Sequence, residues 1–167
     1  MRWYDRLYHY AEQAKSSLDQ ERNYVEDTHR TLDRAVFQRL QSFFSDQNLH
    51  ELREHSYAYR FRAEWHRGLR DYVEECHKPD FEFINRELES LRVELLERIK
   101  DFLGNVGTYT FTEDVDMEWA GVPKEWERDS ERSKQYHKVV KDLNDGATSI
   151  CEAYANLVRV ARTKVVK

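Results

Sequence analysis

Four of the seven histidines lie between His50 and His77. Within that stretch His55, Tyr59, Arg62, His66, Arg70, Glu74 and His77 recur at steps of three or four, the spacing that puts side chains on one face of an α-helix. Imidazoles that exchange a proton near neutrality, set beside guanidinium groups that grip phosphate with paired hydrogen bonds, suit metal-independent phosphodiester cleavage. The same stripe also describes the solvated face of an amphipathic helix in a chain with 35% charged residues. Both readings require the segment to be one helix.

Arg70-Asp71 ahead of His77, and Arg132-Ser133 ahead of His137, resemble the Arg-polar-x-His signature of the HEPN superfamily, all-helical domains that include many ribonucleases of defence and toxin systems. The resemblance covers only these residues, and Lys78 and Lys138 follow the histidines where the family often has a small or aromatic residue. It implies a catalytic pair of Arg70 and His77, or of Arg132 and His137, in a dimer cleft, with His66 and Glu74 nearby.

Glu26/His29 and Glu74/His77 have the Glu-x-x-His spacing of carboxylate-bridged di-iron bundles, which also need an inward acid from each of two further helices. Glu152 could supply one. The run from Phe81 to Phe102 has no acid on its apolar seam, so no metal or other cofactor is expected. The chain also lacks a glycine-rich phosphate loop, an HExxH pair and a GxSxG elbow, which excludes the mainstream nucleotide enzymes and serine hydrolases.

Composition limits the scaffold that could carry any such site. The 167 residues fit one domain, and 40% apolar content with 22 aromatics is too rich for disorder. Five Gly and two Pro give too few turns for an all-β sandwich, which leaves helices. Acids (32) and bases (27) are interleaved, with no basic footprint for nucleic acid over the whole chain. With no apolar run of membrane-spanning length, no signal-like start, and only Cys76 and Cys151 outside any CxxC, a reducing cytoplasm is the expected setting.

Helical periodicity predicts four helices, at about 3–44, 49–78, 80–103 and 129–163. Asn48 is the expected N-cap of the second, Pro79 the first-turn residue of the third, and Gly104 the cap that ends it. A loop of roughly 24 residues over 104–128 joins the third and fourth. Within it Gly107–Thr112 alternates like a short extended piece, and Trp119 and Trp126 should anchor the loop while the acidic stretch around Asp114 stays loose. The expected architecture is a single all-α domain, an antiparallel four-helix bundle with a very long first helix.

In that first helix Tyr4, Ala11, Leu18, Val25 and Leu32 fall seven apart, as in a coiled-coil seam, although Glu21/Arg22 and Thr28/His29 interrupt its middle. At about 42 residues it would be about 63 Å long, so part of it should overhang the bundle. Trp3, Tyr4 and Tyr8 near the start, and Trp119 and Trp126 in the loop, are the aromatic candidates for partner binding. The leading expectation is therefore a non-enzymatic interaction or assembly module. It would bind a protein partner, or a second copy through the N-terminal helix, and neither a membrane nor nucleic acid; a HEPN-like ribonuclease is the alternative.

Overall fold

The computed structural model describes residues 3–112 and 117–166. Among them the chain forms six α-helices and three very short strands: α1 Trp3–Gln41, α2 Asp46–Glu54, β1 Phe61–Arg62, α3 Arg67–Glu75, α4 Arg86–Tyr109, β2 Phe111–Thr112, β3 Trp119–Gly121, α5 Lys124–Arg128 and α6 Ser133–Lys164. The 3-10 turns Ala63–His66 and Pro79–Phe81 precede α3 and follow it. The strands form an antiparallel sheet in the order β1-β3-β2, with Phe61 opposite Ala120 and Phe111 opposite Gly121. The mostly helical class expected from composition holds, with this small sheet added.

The core lies between α4 and α6. Leu88, Leu95, Ile99 and Phe102 face Leu143, Ala147, Ile150 and Leu157, all almost fully enclosed. Polar ties fix the relative positions of the helices. Lys164 Nζ lies 3.0 Å from Glu87, Arg98 donates to Ser149 O and Oγ at 3.1 and 2.8 Å, and a Cβ on Gly146 would sit 3.1 Å from Phe102. The end of α1 joins the same core through Val36, Phe37 and Leu40. Arg34 Nε donates to Val165 O at 2.7 Å, while Phe44, just beyond α1, stacks on Tyr154.

The expected second helix, 49–78, is broken. The α2 helix begins after Ser45, whose hydroxyl accepts from Asn48 N at 3.1 Å, so Ser45 caps it and Asn48 does not. It ends at Glu54, because the chain becomes extended at His55 and reaches the strand Phe61–Arg62. Nine residues of continuous helix would place Tyr57 and His66 on opposite faces. In the fold they meet in one aromatic core, with Tyr57 Oη 2.8 Å from His66 Nε2 and both rings close to Phe102. Burying both rings and pairing with β3 outweigh a local helical period.

Three further boundaries differ from the sequence reading. Pro79 opens a 3-10 turn, and α4 starts seven residues later at Arg86, where Asn85 Oδ1 accepts from Glu87 N and Leu88 N, both at 3.1 Å. Gly104 lies inside α4, because the half-buried Val106 and Tyr109 continue the Phe102 stripe past it. The expected loop 104–128 instead holds the end of α4, two strands and α5. The loose stretch expected around Asp114 lies outside the described residues.

Candidate functional site

The most exposed apolar surface is on α1. From Trp3 to Leu32 every residue is exposed except Asp19, which is half-covered beside Arg22 at 3.3 Å. These 30 residues project about 45 Å from the body. Large side chains lie open along them, among them Trp3 at 65%, Tyr4 at 75%, Tyr8 at 69% and Leu18 at 65% exposure. Burial begins abruptly at Asp33, whose carboxylate accepts from Ile84 N at 2.6 Å and Asn85 N at 2.9 Å and so clamps α1 to the segment that starts α4.

The open stripe does not continue the stripe that packs in the body. At 100° per residue, the direction between Leu32 and Ala35 lies about 120° round the helix from that of Asp33, Val36, Phe37 and Leu40. Where the arm leaves the body, the seam at Leu32 and Ala35 therefore points away from the chain's own core, and the whole run from Tyr4 to Leu32 is left open. Exposed apolar surface of this extent is uncommon on a monomeric protein.

The remaining aromatic candidates sit at the other end of the molecule. The Arg34 contact places the root of the projecting helix beside the end of α6, whereas Tyr136, near its start, reaches Ala58 O at 3.4 Å beside the sheet. There Trp119 is half-buried, with the guanidinium groups of Arg60 and Arg62 at 4.8 and 5.4 Å from its ring and Trp65 edge-on. Trp126 is also half-buried, between Phe111 and Arg132. Phe111 is 55% exposed, while Val122 is enclosed. A cleft of about 440 Å³ opens beside them, lined by Tyr59, Arg60, Phe111, Val122 and Lys124.

The histidine and arginine stripe is dispersed. His55 follows α2, Arg62 is in β1, Arg70 and Glu74 are on α3, and His77 lies beyond its end. Arg70 donates to Ala63 O at 3.1 Å. His137 sits edge-on to Tyr136 on α6, and Arg132 lies over the Trp126 ring. Each of these groups thus has its own local surroundings. No three His, Cys, Asp or Glu side chains among the described residues are grouped to hold a metal ion.

His66 is the one stripe member drawn inside, at 1% exposure among Tyr57, Phe61 and Phe102. Burial, with smaller contributions from Arg70 and His55, pushes its pKa down to about 3, so the ring is neutral near pH 7. Its Nδ1 has no hydrogen-bond partner, and burial also raises the Tyr57 hydroxyl above its ordinary range. A neutral imidazole sealed among aromatic rings serves packing and has no route to a substrate. Burial likewise raises the Cys76 and Cys151 thiols, and both are free.

Sequence reasoning missed two charged groups of the interior. Arg92, 4% exposed, pairs with Glu89 through Nε at 2.9 Å and Nη2 at 2.5 Å, and Asp33 is the clamp described above. Arg92 carried a local signal, an acid three residues before it on an otherwise apolar seam; Asp33 carried none, because its partners are backbone N–H groups about 50 positions away. Compared with known proteins, the chain matches no family model, no curated protein and no solved structure. No helix among the described residues is long and apolar enough to cross a membrane.

Proposed function

We propose that this chain is a non-enzymatic helical interaction module that holds α1 out from a packed body as an association arm. The body in this reading is an antiparallel bundle of the last turns of α1 with α3, α4 and α6. Its support is the pairing of ascending positions on one helix with descending positions on the other: Glu87 with Lys164 and Arg98 with Ser149, and Arg34 with Val165 ahead of Phe44 with Tyr154. Two free thiols fit a reducing compartment such as the cytoplasm.

The observation that carries the reading is the 30-residue projection whose apolar seam is left open. A helix draws most of its stability from packing its amphipathic face, so covering that seam should stabilise the arm. The test is affinity capture with tagged full-length protein and with protein lacking residues 1–17. The full chain should retain either an untagged copy of itself or a second protein, and the truncated chain should lose it while keeping a cooperative melt. Identical captured material from both would end the proposal. So would RNA cleavage by the purified chain that is abolished by His77→Ala or His137→Ala, since that result would establish the ribonuclease alternative.

A further inference from the structure

The arm's chemistry identifies its occupant. Building on the reading of α1 as an association arm, we infer that it pairs with the arm of a second copy, parallel and in register, as a two-stranded coiled coil.

The seam assigns heptad positions directly. Tyr4, Ala11, Leu18, Val25 and Leu32 are the a positions, and Leu7, Ala14, Glu21, Thr28 and Ala35 the d positions. One a/d stripe of this width accommodates one partner helix. Beside the body the seam at Leu32 points about 120° away from the packed side of α1, and every residue from Trp3 to Leu32 except Asp19 is exposed, so a second helix can lie along the arm without displacing a packed contact. Eight large apolar side chains are exposed between Tyr4 and Leu32. At about 60 to 120 Å² each on both arms, covering them removes roughly 1,000 to 2,000 Å² from water, the range of specific dimers.

Charge decides between a second copy and an unrelated helix, and between the two orientations. The e positions that flank the seam on one side are Tyr8, Lys15, Arg22 and His29, whereas the g positions on the other side are Trp3, Tyr10, Ser17, Tyr24 and Thr31. In an antiparallel pair centred on Leu18 e faces e, which sets Lys15 against Arg22. In a parallel pair e faces the g of the other helix, so Tyr8 meets Trp3, Lys15 meets Tyr10, Arg22 meets Ser17 and His29 meets Tyr24, with a cation–π contact at Lys15 and no base facing a base.

The charged interruption of the seam is answered by the same arrangement. A d side chain of a parallel coiled coil enters a hole that includes the e residue of the opposite helix. Glu21 of each copy therefore meets Arg22 of the other, giving two symmetric ion pairs that offset the facing of Glu21 on Glu21 in that layer, while Thr28 is the second polar d position. The acids at b, Asp5, Glu12, Asp19 and Glu26, stay on the outer surface, where Asp19 already pairs with Arg22 of its own helix. A parallel pair thus sets no e-position base against another base.

The experiment uses the full chain with Leu7→Cys, mildly oxidised, beside the parent chain with its native Cys76 and Cys151 as control. In the parallel pair the two introduced thiols share one layer, and a covalent dimer should form in the variant and not in the parent. An antiparallel pair would hold them roughly 30 Å apart at 1.5 Å per residue. Glu21→Lys should weaken association about tenfold, and Glu21→Lys with Arg22→Glu should restore it, as measured by analytical ultracentrifugation. A dimer that does not cross-link at position 7 overturns the parallel register. A chain that is monomeric at all concentrations overturns the second copy as occupant, while capture of a different protein through residues 1–17 would leave the association arm standing.

Discussion

The enclosed Tyr57–His66 pair predicts an acid-sensitive step in stability that can be assigned to one ring. In the unfolded chain His66 binds a proton below its ordinary value of 6.5, whereas in the native core it does so only below about 3. Between those values the unfolded state holds one more proton, so stability falls as pH falls; above 6.5 the contribution is complete and flat. One proton is worth about 1.4 kcal/mol per pH unit, so lowering the pH from 7.5 to 4.5 should cost roughly 2.5 kcal/mol through this residue alone. Replacing both partners together, Tyr57→Phe with His66→Leu, removes the titration without leaving either polar group alone in the core. Urea unfolding of parent and double variant at pH 7.5, 6.0 and 4.5 should show the parent losing the larger amount, with unchanged denaturant slopes. Any constant offset from repacking cancels in that comparison. A difference between the two proteins that does not vary with pH would refute a neutral, sealed His66.

Asp33→Ala leaves Ile84 N and Asn85 N without their carboxylate acceptor and should lower stability by roughly 2 to 4 kcal/mol in the same assay. Glycines divide sharply by surroundings. A Cβ at Gly68 would fall 2.2 Å from Phe43 O, so Gly68→Ala should destabilise by roughly 1 to 3 kcal/mol, while Gly104→Ala, with nothing within 4 Å, should stabilise α4 by about 0.5 to 1 kcal/mol. Deleting residues 1–17 should lower mean helicity by circular dichroism yet leave the near-ultraviolet spectrum of the body's tryptophans and its melting midpoint close to those of the full chain, because burial starts only at Asp33.

What the sequence determined by itself was periodic and local. The helical class follows from few turn residues and repeated steps of three and four, and the bounds of α1 and α6 come within a few positions of the expected ones because each has one long amphipathic pattern. The overhang was legible from length alone, since a helix of that span outruns the body that such a chain can build. Tertiary structure decided the stretch from His55 to His66. Its spacing satisfied a helix as well as α6 does, but strand pairing with Trp119–Gly121 and the burial of Tyr57 and His66 around Phe102 depend on partners 40 to 60 positions away, which no local period encodes. The same holds for the direction of the arm's seam. Its heptads can be read in the sequence, but the angle at which the seam leaves the body is fixed only by which side of α1, beginning at Asp33, the core takes.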